Sequence, residues 1–215
     1  MNRLSGLKFI DKFIILTKTS VKVMRGIFKL PFLKKSKGLL FVGKKVDISH
    51  CHMIQVGKNV KFEDYSEIHG LSKQGLIFGD NVTIGRGTMI RPSSYYGGDL
   101  GEGLIIGNNS SIGPHAYVGC AGLITIGENV MFGPKCSLFA ENHNFSDAET
   151  TIKSQGVNRK GILVEDNCWI GSNVTILDGV TIGKGSIIGA GTLITKDVPA
   201  GSIVMDKRNK IINER

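Results

Sequence analysis

Between Val42 and Ile194, twenty aliphatic or Phe residues recur at a step of six, and a Gly follows most of them. The runs Val82-Thr-Ile-Gly-Arg-Gly and Ile182-Gly-Lys-Gly-Ser-Ile-Ile-Gly-Ala-Gly carry the pattern most clearly. A six-residue period fits neither an amphipathic helix nor an alternating strand, so it marks a repeat architecture. Two residues of each hexad are expected to point inward: the large apolar one at the first position and a small one at the fifth. Val46, Val60, Val82, Ala116, Val130, Val174, Val180 and Thr192 occupy fifth positions. Gly at the second position suits a tight corner where a side chain would be costly. Three hexads then form one triangular coil, and stacked coils bury a column of apolar rungs. The pattern predicts an all-β repeat, a parallel β-helix of about seven coils and roughly 34 Å tall.

Inside every complete coil the step is six. From Val56 onward the coil-to-coil steps are 22, 28, 20, 38 and 18, so insertions of 4, 10, 2, 20 and 0 residues follow the third hexad. All must leave the prism at one corner, where a loop faces solvent and can carry chemistry. The two large insertions cover residues 91–103 and about 141–161. Their roots lie two coils apart, about 10 Å along the axis, so they could wall one cleft.

Ahead of the repeats, Leu7, Ile10, Ile14, Val21, Met24 and Phe28 follow a 3-4 spacing, with Lys and Arg largely off that stripe. This predicts an amphipathic helix ending near Pro31. The expected division is a basic arm over 1–38, a β-helix over 39–200 and a tail over 201–215. The arm either caps the open end of the prism or lies on an anionic membrane surface through residues 1–30.

Charge sharpens that question. The chain carries +9, and residues 1–38 account for all of it, with ten Lys or Arg against Asp11. The repeat body is neutral, which argues against nucleic-acid binding. No apolar run is long enough to span a bilayer. No secretory leader is visible, so a cytoplasmic location is expected, at the inner membrane face if the arm binds lipid. The four Cys residues have no zinc or disulfide spacing, and Cys136 and Cys168 fall at inward fifth positions.

Among five His residues, His52 falls at an inward fifth position, whereas His50, His69 and His115 read as corner or outward residues. His143 stands apart. It sits where the longest loop departs, among Glu141, Asn142, Asn144 and Asp147. An imidazole there can accept a proton near neutral pH, with neighbouring polar groups fixing its tautomer. His69, His115 and His143 fall on different hexad phases, so a three-His metal site is not expected. No nucleophile triad or phosphate-binding Gly loop is present.

The ordered set Asn142-His143, Asn167-Cys-Trp-Ile-Gly-Ser172, Ile188-Gly-Ala-Gly191 and Thr195-Lys-Asp-Val-Pro199 resembles the hexapeptide-repeat acyltransferases with a left-handed β-helix. The resemblance runs from about Gly38 to Pro199 and is strongest to the sugar O-acetyltransferases: the maltose and galactoside acetyltransferases and related polysaccharide O-acetyltransferases. It implies a homotrimer with active sites between prisms, acetyl-CoA as co-substrate, and no metal or permanently bound cofactor. His143 would be the general base acting on a sugar or glycan hydroxyl, and Ser172 would help bind the thioester carbonyl oxygen. Trp169, Ala190, Thr195, Lys196 and Lys210 would contact CoA, and Tyr95, Asp99, Glu141 and Asn142 the acceptor. One departure stands out: the family's Gly-Asn-Pro-Ala-Lys-like ending is replaced around Asp206 and Arg208, and only Lys210 matches a basic family position. Two other functions stay open: acetylation of a small xenobiotic, and a non-catalytic assembly or carbohydrate-binding module.

Overall fold

The computed structural model describes residues 6–93 and 98–207. Three parallel sheets form the sides of a left-handed parallel β-helix, with seven, eight and seven strands. From the second coil on, strands of the first sheet end on Val56, Phe78, Ile106, Ile126, Val164 and Ile182, and the anchors of the other two sheets follow six and twelve residues on. Pairing stacks anchor on anchor. Leu104–Ile106 lies in register between Leu76–Phe78 and Ile124–Ile126. The ladder begins at Lys35–Ser36 and ends at Ile203–Val204, where an eighth coil has started.

First and fifth positions face the interior together. Ile84, Ile90, Val118 and Ile170 at first positions, and Val82, Ala116, Val130 and Val174 at fifth positions, are all inaccessible to solvent. Each fully buried large side chain contributes roughly 1.5–3 kcal/mol relative to exposure. Cys136 and Cys168 join them, as expected, while Val46 is only partly buried. Polar residues at fifth positions stay inside by bonding to corner carbonyls: the Ser110 hydroxyl donates to Gly127 O at 2.7 Å and the Thr88 hydroxyl to Gly113 O at 2.9 Å.

The corners divide their demands between two positions. The fourth residue of the hexad takes the left-handed conformation, as at Asn81, Asn109, Asn129 and Asn167, with φ of 59°, 58°, 57° and 59°. Asn tolerates this region better than most residues, and stacked Asn side chains also bond to each other. Asn81 Nδ2 donates to Asn109 Oδ1 at 2.9 Å. The Gly at the second position serves a different need, close stacking. A Cβ on Gly107 would lie 2.6 Å from the carbonyl carbon of Gly127 in the next coil.

Two histidine expectations are corrected. His52 is exposed, because residues 51–53 form a 3-10 turn that breaks the hexad phase at this corner. His69, read as a corner or outward residue, is fully buried, its ring 5.1 Å from that of His50. His115 is a corner residue, at φ 58°.

The amphipathic segment forms helix α1, Phe9–Ile27. Consecutive coils are linked by backbone hydrogen bonds in both directions, as from Gly43 N to Phe62 O and from Tyr65 N to Lys44 O, and the first coil meets α1 at the open end. Gly26 sits there, so close that a Cβ would fall 1.8 Å from Leu40 O. Lys22 is ion-paired with Glu63. Among the described residues no helix is long and apolar enough to cross a membrane.

Candidate active site

All insertions leave between the third sheet and the first, along one edge. The two long ones meet there. Together they enclose a cavity of about 410 Å³ lined by Arg91, Asp99, Tyr117, Phe139, Glu141 and Arg159, among others. Arg159 joins the two walls: its Nε donates to Glu141 Oε2 at 3.2 Å and its Nη1 to Leu100 O at 3.4 Å. Arg91 forms a two-pronged pair with Glu67, Nε to Oε1 at 2.6 Å and Nη2 to Oε2 at 2.7 Å. Both guanidiniums are thereby matched by carboxylates, and Asp99 adds a further negative group.

Tyr117 and Phe139 supply an apolar floor, with ring centroids 5.5 Å apart and planes tilted by 37°. Gly119 leaves room for the Tyr117 ring, since a Cβ there would come within 2.9 Å of it. Burial pushes the Tyr117 phenol up, so its hydroxyl stays protonated and can donate. A ring floor bordered by carboxylates, guanidiniums and a phenol is chemically suited to a polyhydroxylated ligand.

His143 stands beyond this cavity on a hairpin. Asn142–His143 pairs antiparallel with Val157–Asn158, His143 opposite Val157. The hairpin tip is tied internally. Asn144 Nδ2 donates to Gln155 O at 3.0 Å, and Gln155 Nε2 donates to Asp147 O at 2.9 Å. The Asp147 carboxylate accepts from Glu149 N at 2.8 Å and from the Thr150 hydroxyl at 3.2 Å. These bonds hold the loop's shape without a hydrophobic core. The imidazole itself is exposed and has no hydrogen-bond partner among the described residues.

The remaining candidates are distributed around the prism. Asp99 and Glu141 line the cavity, whereas Asn142 sits exposed beside His143. Thr195 and Lys196 lie on the same edge, two coils further along, and both are exposed. Ser172 and Ala190 stack in consecutive coils at the other margin of the third sheet. At about 3.3 Å per residue, that margin is some 20 Å from the loop edge. Within one chain Ser172 and His143 are therefore not brought together. Trp169 is exposed on the outer face of the second sheet, paired between Met131 and Ile187. Tyr95 and Lys210 lie outside the described residues. Among those residues no group of three or more His, Cys, Asp or Glu is placed to hold a metal ion.

Sequence reasoning passed over Arg91, Tyr117, Phe139 and Arg159. A signal for two of them was present. On the first two sheets the second hexad position is mostly Gly, but on the third it holds Arg91 and Phe139. That exception marks the side where loops, rather than the next corner, cover the strand ends.

Residues 161–196 match the family model described as bacterial transferase hexapeptide (six repeats). A Mycobacterium tuberculosis protein named Probable acetyltransferase Rv3034c is 25% identical over 84% of this chain and 51% of its own length. The galactoside O-acetyltransferase of Lactococcus lactis is 34% identical over 35% of this chain and 36% of its own. The chain thus spans about half the length of these curated relatives, or less. Among solved structures, a mutant of AntD is similar in fold, with a TM-score of 0.54 and 16% identity over 89% of this chain and 90% of that one. AntD is an N-acyltransferase from Bacillus cereus, seen in complex with dTDP-4-amino-4,6-dideoxyglucose and coenzyme A. By repeat, fold and these matches, the chain is a left-handed β-helix of the hexapeptide-repeat kind, with acetyltransferases among its relatives.

Proposed function

We propose that this protein transfers an acetyl group from acetyl-CoA to a hydroxyl of a sugar or glycan acceptor, with His143 as general base. The observation that carries the reading is the shared cavity: Glu141, two residues before His143, and Asp99 of the other insertion line it together with the rings of Tyr117 and Phe139. A pyranose ring fits that floor, and its hydroxyls find partners in the Arg91, Glu141 and Arg159 heads. Glu141 immediately precedes the strand that carries His143, so the two side chains can address one bound acceptor.

In the reaction, the His143 imidazole takes the proton of the acceptor hydroxyl as its oxygen attacks the thioester carbonyl. The tetrahedral oxyanion collapses, the C–S bond breaks, and the departing thiolate receives the proton from the imidazolium. The products are an O-acetyl sugar and CoA. Oxyanion stabilisation falls to Ser172, which a single prism keeps about 20 Å from the loop edge. A neighbouring subunit would have to present it, so the mechanism calls for the expected homotrimer. CoA would run along the Ser172 and Ala190 margin, near Trp169, toward Thr195 and Lys196. An acceptor carried on a membrane lipid would agree with a peripheral contact of residues 1–30 at the inner membrane face.

The test is thiol release from acetyl-CoA with a panel of neutral and acidic sugars, together with thermal melting with and without CoA. Acceptor-dependent release and a raised Tm support the reading, because a ligand that binds only the folded state stabilises it. Absence of both would favour a non-catalytic carbohydrate-binding module.

A further inference from the structure

Helix α1 turns its apolar face away from the body. At 100° per residue, Leu16, Phe9, Ile27, Phe13, Met24 and Ile10 fall within about 120° of its circumference. All six are exposed, Phe9 at 83% and Phe13 at 58%. The contact with the β-helix uses other positions: buried Gly26 against Leu40, half-buried Val23, and the ion pair of Lys22 with Glu63. Covering the open end therefore accounts for the helix's docking but not for its hydrophobic stripe.

A second observation lies on the flank of the same helix. A groove between α1 and the first coils is lined by Lys18, Lys22, Arg25 and Lys44 on the basic side and by Asp64 on the acidic side. Lys22 is engaged by Glu63, whereas Lys18, Arg25 and Lys44 have no ion-pair partner among the described residues. An outward apolar stripe beside unneutralised cations is the arrangement of a helix lying in a bilayer interface. Its rings enter the acyl region and its cations remain at the level of the phosphates.

We propose that α1 and the Lys18–Arg25–Lys44 groove form a docking surface for an anionic phospholipid bilayer. The partner is a lipid surface rather than a soluble anion, because a phosphate in the groove leaves the six exposed apolar side chains unaccounted for. It is a lipid surface rather than a second copy of the chain, because like-charged flanks on two copies would repel one another. The inference stands apart from the acetyl-transfer reading.

The experiment is co-sedimentation of the full chain with vesicles of phosphatidylcholine alone and of phosphatidylcholine mixed with phosphatidylglycerol. The expected result is binding to the mixed vesicles, weakened by salt and little changed by millimolar inorganic phosphate. Lys18→Gln should lower partitioning roughly fivefold, as should Arg25→Gln. Phe9→Ser/Phe13→Ser should abolish it while leaving far-UV circular dichroism and molar mass by light scattering unchanged. Equal binding to both vesicle types, or none to either, would overturn the proposal. So would displacement by inorganic phosphate. A fall in molar mass on Phe9→Ser/Phe13→Ser would also overturn it, by assigning the stripe to self-association.

Discussion

Arg159 Nε donates to Glu141 Oε2 at 3.2 Å, closing the neck of the loop that carries His143. The same guanidinium reaches Leu100 O in the other insertion, so one side chain sets the spacing of both cavity walls. The pair is partly solvent-exposed, and such pairs contribute about 0–1 kcal/mol to stability. Arg159→Ala should therefore leave Tm within about 3 °C of wild type. Acceptor kcat/KM should fall about tenfold, a loss near 1.4 kcal/mol of positioning, and Arg159→Lys should recover part of it. An unchanged kcat/KM across the three proteins would detach the loop neck from acceptor binding.

Corner conformation gives a prediction that is independent of function. Asn129 holds φ at 57°. Ala there should cost about 1–2 kcal/mol, the penalty of placing an ordinary L-residue in the left-handed region, and Gly should cost less. Melting curves of Asn129→Ala and Asn129→Gly check the order. Equal losses would mean that the side-chain ladder, not the backbone, sets the corner.

The thiols should separate by burial. Cys120, Cys136 and Cys168 are enclosed, and burial pushes all three above the ordinary thiol range. Cys51 is half-buried. A thiol-specific chromogenic reagent at pH 8 should label one group per native chain, and four in denaturant, because reactivity follows thiolate fraction and access. Rapid labelling of more than one native thiol would contradict the packed interior.

His69 predicts an acid-sensitive fold. Burial first, and the neighbouring His50 second, hold its pKa below the ordinary imidazole value of 6.5. The unfolded chain therefore binds this proton more readily than the folded one. Stability is full above pH 6.5 and falls as pH drops below it, toward the lower folded value. His69→Leu should flatten Tm against pH between about 7 and 5. A wild-type curve already flat across that interval would remove the effect.

The regular part of the molecule was legible because every coil imposes the same steric rule. Ile126 and Ile182 mark inward positions by size, and Gly107 and Gly127 mark close stacking by lacking a side chain. The common exit edge of the loops followed from counting residues between anchors. What happens beyond the edge did not follow, since no period governs a loop. The pairing of Arg159 with Glu141 depends on how an antiparallel hairpin returns, and the burial of His69 on the side chains gathered at its corner, His50 among them. His52 failed for the same reason: one 3-10 turn shifts the phase that had assigned it to the interior. The orientation of α1 was hidden as well, because an apolar stripe states only that a face must be covered, not by what.

The central claim is that the His143 imidazole removes the acceptor proton. Its most direct test is steady-state turnover of acetyl-CoA by wild type and His143→Ala on an acceptor the wild type uses, with melting temperatures measured alongside. Loss of a general base should lower kcat by roughly 10²–10⁴-fold. Because the side chain is exposed and makes no hydrogen bond with any described residue, Tm should not move. Full turnover by His143→Ala would contradict the account.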